Sequence, residues 1–148
     1  MSGKVLWVDE DDRIWATERN LLTGLGFQVI PVSDATSALA LIETDNMDGV
    51  HLLILDVMLL PGDDESIFSP EATDEEMDTG LVLAQRIWAM NPDYGKRILF
   101  FSRVTKPHHV AKIKAVASKI GAFYLPKSVE TQGKYFVAWL KENGFLKG

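Results

Sequence analysis

Apolar runs of strand length alternate with stretches of helical period along the whole chain. Lys4 to Val8, Phe27 to Val32, His51 to Asp56, Arg97 to Ser102 and Ala122 to Leu125 are near-continuous apolar runs, the pattern of strands buried on both faces. Helical spacing fills the gaps. The first helix is predicted from about Asp12 to Thr23, with Ile14, Leu21, Leu22 and Leu25 inward and Gly24 and Gly26 as its stop. Ser33 or Asp34 caps a second, with Ala35, Ala38, Leu39 and Ile42 on the period and an end near Asn46. Leu81 to Met90 carries Leu83, Ala84 and Ile87 on one side and closes at Asn91 and Pro92. Pro107 starts a fourth helix with Val110, Ile113, Ala117 and Ile120 as its buried stripe, ended by Gly121. A fifth, from about Thr131 to Glu142, carries Phe136, Val137 and Leu140. Five strands alternating with five helices predict a doubly wound α/β domain, a parallel sheet covered on both faces through right-handed crossovers. No repeat interrupts it, and residues 1–148 read as one domain.

Composition narrows the chemistry. There is no cysteine, so disulfides, thiolate nucleophiles and thiolate metal sites are excluded. The apolar run near the N-terminus is too short for a signal peptide, and no run approaches the ~20 apolar residues of a membrane span. A cytoplasmic protein is expected. The net charge of −6 offers no general attraction to nucleic acid or to an anionic membrane. It is unevenly spread: Gly62 to Thr79 holds eight acids and no Lys or Arg, and the remaining chain has 13 acids against 15 basic residues.

In an open parallel sheet, ligands gather at the carboxyl ends of the strands. Four predicted strands bring polar residues there: Asp9 and Glu10, Asp56, Ser102, and Lys127. The acids alone have two readings, as strand ends and helix caps or as oxygen ligands for a hard cation such as Mg²⁺. Lys127 and Ser102 opposite them favour a site for a group with several anionic oxygens, a phosphoryl group in the first instance. Asp56 is then the nucleophile that forms an acyl phosphate.

The segments VLWVDEDD, LLILDVMLLP, ILFFS and AFYLPK resemble, in order and spacing, the receiver domain of two-component response regulators. The resemblance implies a flavodoxin-like, chemotaxis-type fold with strand order 2-1-3-4-5. It implies Asp56 as phosphoacceptor, Mg²⁺ held by Asp9, Glu10, Asp56 and the backbone carbonyl of Met58, and Ser102 and Lys127 as contacts to the phosphoryl group. Tyr124 corresponds to the family's switch aromatic. The implied activity is that of a signalling phosphoacceptor catalysing its own phosphotransfer, with autodephosphorylation left open, rather than that of a metabolic enzyme. The donor is a sensor histidine kinase or phosphotransfer protein, and the output is contact with a downstream protein, or with a second copy, through the fourth helix, fifth strand and fifth helix. The alternative is a pseudo-receiver that is not phosphorylated and acts as an interaction module through its acidic loop. A dehalogenase-like phosphohydrolase wants an acid where Met58 stands.

The sequence departs from the family pattern at four places. Glu10 replaces the commoner Asp, and Arg103 follows Ser102 where a small residue is usual, which makes Arg103 a candidate modulator of acyl-phosphate lifetime. Ser128 replaces the Pro after the Lys, leaving the family's cis peptide bond there open. Residues 62–79 form an acidic insertion, read as a solvated and partly disordered excursion; its functional alternative is a flap that docks a basic partner through Ile67 and Phe68 or tunes metal affinity. His108 and His109, adjacent on a helix, are expected to point apart at a solvated helix end. Trp15, Trp88 and Trp139 read as packing residues, with Trp139 a candidate dimer contact.

Overall fold

The computed structural model describes residues 3–10, 15–45, 47 and 49–146. Five strands, β1 (Lys4–Val8), β2 (Gln28–Val32), β3 (Val50–Leu55), β4 (Ile98–Ser102) and β5 (Phe123–Pro126), form one sheet in the order β2-β1-β3-β4-β5. Every pairing is parallel. The helices are α1 (Ala16–Gly24), α2 (Ala35–Asp45), α3 (Thr79–Met90), α4 (Pro107–Ile120) and α5 (Lys134–Glu142). The expected start of α1 at Asp12, its inward Ile14 and the end of α2 at Asn46 lie outside the described residues.

Alternation along the strands divides the core into two layers. Leu6 and Val8 of β1 face the layer closed by α2, α3 and α4, whereas Val5 and Trp7 face the layer closed by α1 and α5. The predicted signals for the helix ends act as expected at several positions. Asp34 Oδ1 accepts from the Ser37 amide at 2.7 Å and caps α2, and Gly121 closes α4 in the left-handed conformation at φ 75°. Two boundaries move. The chain makes a 3₁₀ turn over Val129–Thr131 before α5 begins at Lys134, and a second over Pro92–Arg97 precedes β4. No described peptide bond is cis.

The acidic insertion is not a solvated excursion. Leu60 bridges to Asp34, and the Pro61 carbonyl accepts from the Thr36 amide at 3.0 Å and from Thr36 Oγ1 at 2.7 Å. Thr36 Oγ1 in turn accepts from the Asp64 amide at 3.0 Å. These bonds staple the segment to the first turn of α2. Beyond them Phe68, 2% exposed, enters the same core layer as α2, α3 and α4, and Thr73 is fully buried. Asp63, Glu65, Glu71, Asp74, Glu75 and Glu76 stay exposed, while Phe68, Thr73 and Thr79 are buried. Phe68 is therefore not available to dock a partner, contrary to the expectation for the flap. His108 and His109 also differ from expectation: their rings lie against each other with centroids 3.9 Å apart.

A buried phenylalanine in the insertion has a measurable consequence. Phe68→Ala is expected to lower unfolding stability by about 3 kcal/mol, the usual loss for a truncated core aromatic. Urea titration followed by far-UV circular dichroism reads this, and a change below ~0.5 kcal/mol is what a solvated excursion would give.

Candidate functional site

The carboxyl edge of the sheet brings the predicted residues together around one cavity of about 240 Å³. It is lined by Asp9, Glu10, Trp15, Asp56, Met58, Ser102, Arg103, Val104 and Lys127. Asp9 follows β1, Asp56 follows β3, Ser102 ends β4 and Lys127 follows β5. The sheet ladder carries these positions to the rim: the Asp9 amide donates to the Val32 carbonyl, the Asp56 amide to Val8 at 3.0 Å and the Lys127 amide to Ser102 at 2.8 Å. Beyond Lys127 the turn is locked by Thr131, whose hydroxyl donates to the Pro126 carbonyl at 2.8 Å and accepts from the Ser128 amide at 2.9 Å.

Lys127 spans the site. Its ammonium lies 2.5 Å from Asp9 Oδ2 and 3.3 Å from Asp56 Oδ2, with the Lys127 and Asp9 side chains only 4% and 2% exposed and Asp56 15% exposed. A buried cation needs this compensation, and two carboxylates so close need the cation. Burial nevertheless outweighs it at Asp56. Desolvation, with the Asp9 charge adding to it and Lys127 opposing it, pushes the Asp56 carboxyl from 3.8 up to about 6. Ser102 is buried, and its hydroxyl accepts from the Val104 amide at 3.3 Å. Tyr124 is half-buried on β5, in register with Phe100, and packs against the α4 side of the core. Burial raises its phenol above 10.

The donor set suits Mg²⁺, which binds through one or two carboxylates and keeps several waters. Asp9 and Asp56 supply hard oxygens to one cavity, and Glu10 and Met58 line it at exposed positions. Among the described residues no group of three acidic or histidine side chains is close enough to hold a metal ion, so Glu10 does not join the other two acids in a preformed cluster.

Two contributors were not expected from the sequence. Gly80, in the first turn of α3, donates its amide to the Val57 carbonyl at 2.9 Å. A Cβ there would lie 2.0 Å from the Asp56 carbonyl oxygen and 2.8 Å from Val57 Cα. Only glycine lets the helix approach the backbone that presents Asp56. Trp15 forms part of the cavity wall rather than merely packing inside a helix; the signal for it was its place just beyond the strand-end acids. The insertion also reaches the site's edge: Glu75 and Glu76 line an adjoining cavity of about 140 Å³ that shares Glu10 and Met58.

A five-stranded parallel sheet in this order is the fold of the CheY-like receiver domains of response regulators. No family model and no curated protein sequence matches the chain. Solved structures do. A CheY-like response regulator receiver domain protein from Methanospirillum hungatei JF-1 is 20% identical, with 96% of this chain and 93% of that one covered and a TM-score of 0.67. A response regulator receiver domain protein from Clostridium thermocellum is also 20% identical, with coverages of 95% and 93% and a TM-score of 0.65. NtrX from Brucella abortus is 21% identical with a TM-score of 0.65; 97% of this chain is covered, and it spans 27% of that longer protein. At this identity the likeness establishes the fold. Among the described residues, no helix is long and apolar enough to cross a membrane.

Two outcomes follow from the site's geometry. A carboxyl whose folded value is raised destabilises the fold in its ionised form. The penalty is absent below 3.8, grows as pH rises towards about 6 and is fully present above it. In metal-free buffer Asp56→Asn is therefore expected to be more stable than the parent at pH 7, by at most about 3 kcal/mol, with the difference vanishing towards pH 4. Parallel urea titrations at the two pH values measure it, and a variant less stable at pH 7 would contradict the account. Gly80→Ala, by contrast, is expected to cost about 1–3 kcal/mol by overpacking against backbone, read by the same titration.

Proposed function

We propose that this chain is a phosphorylatable receiver module, in which Asp56 accepts a phosphoryl group and the modified domain changes its protein contacts. The observation that carries this reading is the buried Lys127 ammonium shared by Asp9 and Asp56 in one cavity beside Ser102. The donor is a phosphohistidine on a sensor kinase or phosphotransfer protein. An Asp56 carboxylate oxygen attacks phosphorus, the phosphorus–nitrogen bond to the imidazole breaks, and the imidazole leaves with the electron pair and takes up a proton. An acyl phosphate remains on Asp56.

Each neighbour has work in that step. Asp9, Glu10, Asp56 and the Met58 carbonyl would hold Mg²⁺, which when bound neutralises charge on the phosphoryl oxygens. Lys127 moves its ammonium from the Asp56 carboxylate to a phosphoryl oxygen while staying paired to Asp9. Ser102 gives up its contact with the Val104 amide and donates to another oxygen. Drawing Ser102 inward vacates space below α4, and Tyr124 repacks into it, changing the surface formed by α4, β5 and α5. That surface is the proposed contact for a downstream protein or a second copy.

The test uses the full chain with Mg²⁺ and phosphoramidate. Intact mass is expected to show one phosphoryl adduct on the parent and none on Asp56→Asn. Lys127→Ala is expected to slow adduct formation by 10²-fold or more, in the range for loss of an electrostatic group at a phosphoryl centre. An adduct of equal size on Asp56→Asn contradicts the assignment. No adduct on either protein favours the unphosphorylated interaction module.

A further inference from the structure

Trp15 carries no charge and no nucleophile, yet it stands in the cavity wall, 2% exposed, immediately before α1. Two cations lie over its ring. Lys127 Nζ is 5.5 Å and Arg103 Cζ 5.7 Å from the ring centroid, within the reach of about 6 Å at which an indole face attracts a cation. Phe101 fixes the indole from beside it, edge-on, with centroids 4.8 Å apart, and takes Lys127 at 5.6 Å.

The two cations differ in what else holds them. Lys127 is buried between two carboxylates. Arg103 is exposed and makes no ion pair among the described residues, so Trp15 is the partner that keeps its guanidinium at the cavity. A long surface side chain otherwise loses considerable rotamer freedom whenever it engages a ligand. Resting on an indole, Arg103 has already lost it. The charge balance gives this order a use, because a phosphoryl dianion approaching Asp9, Asp56 and Glu10 meets three negative charges. One lysine, already shared, offsets only part of that charge; a second fixed cation reduces what is left.

We propose that Trp15 is a positioning residue for phosphoryl recognition, its indole holding Lys127 and Arg103 as a preordered two-cation wall opposite Asp56. The inference rests on the reading of Asp56 as phosphoacceptor, and it assigns Arg103 to attracting the phosphoryl donor rather than obstructing it. With phosphoramidate, the Asp56 oxygen bonds to phosphorus as the phosphorus–nitrogen bond breaks and ammonia leaves. The wall acts on the binding of the three phosphoryl oxygens before that exchange.

The experiment is a double-variant cycle on the full chain with Mg²⁺, following Asp56 phosphorylation by phosphoramidate through intact mass. Trp15→Leu is expected to lower kcat/KM by about tenfold, chiefly through a higher KM, and Trp15→Phe to recover part of it because a ring remains. Arg103→Ala is expected to lose a similar factor, and Trp15→Leu combined with Arg103→Ala to lose less than the product of the two. A structural role for Trp15 would give losses that multiply, with no gain for Phe over Leu; either result overturns the proposal, as does a Trp15→Leu value within twofold of the parent. Should Trp15→Leu not fold, the cycle of Trp15→Phe with Arg103→Ala reads the same coupling, and multiplying losses overturn it equally. Binding of inorganic phosphate, measured by calorimetry on the unphosphorylated proteins, separates the two readings. If the parent forms no Asp56 adduct but binds phosphate more tightly than Trp15→Phe, the phosphoacceptor reading fails and the cation wall stands. Equal phosphate binding by both overturns the wall.

Discussion

One ammonium group sets the architecture of this site. Lys127 enters from the turn after β5, passes the end of β4 at Ser102 and reaches the acids that follow β3 and β1. Two carboxylates buried this closely repel each other, and a buried ammonium without a partner pays a heavy desolvation cost; each is tolerable only because of the other. The strand order places these three termini within reach, so sheet topology and site electrostatics are a single constraint. The arrangement leaves Asp56 less favourably ionised than an ordinary aspartate, since burial outweighs the lysine. A carboxylate in that condition gains from any group that brings it more positive charge.

The loop after Asp56 is tied to the body of the domain at three points. Thr36 staples its beginning to α2, Phe68 anchors its middle in the core and Gly80 fixes its end against the Asp56 backbone. Asp78, just ahead of α3, pairs with Lys112 on α4. A second rung seven residues further along both helices, Lys119 to Gln85 at 3.4 Å, repeats the contact two turns on. The acidic segment is thus continuous, through ordinary packing and one ion pair, with both the Asp56 backbone and the helix proposed to carry the output.

The fold was legible because buried parallel strands and amphipathic helices write different periods into the chain, and each of the five strands kept its own. The convergence of the candidate site was legible because Asp9, Asp56, Ser102 and Lys127 each close an apolar run at its carboxyl end, the edge where an open parallel sheet gathers its polar groups. What was hidden lacks a period or acts through absence. Phe68 is one ring among eight acids, and no repeat announces that it turns inward. Gly80 matters for the Cβ it does not have. From sequence Trp15 reads as packing on a helix, whereas the chain is still turning there, one residue before α1, and the ring meets Lys127 and Arg103 from distant strands. Such long-range meetings follow from topology and not from neighbouring sequence.

The central claim is that the Asp56 carboxylate itself becomes an acyl phosphate. Borohydride reduces an acyl phosphate to an alcohol, converting a phosphorylated aspartate to homoserine, while leaving free carboxylates unchanged. After treatment with Mg²⁺ and phosphoramidate followed by borohydride, peptide mass spectrometry should find homoserine at position 56 and at no other acid of the chain. Homoserine at another aspartate instead of at 56, hydroxynorvaline at a glutamate, or neither in a protein that carries the phosphoryl adduct, would contradict it.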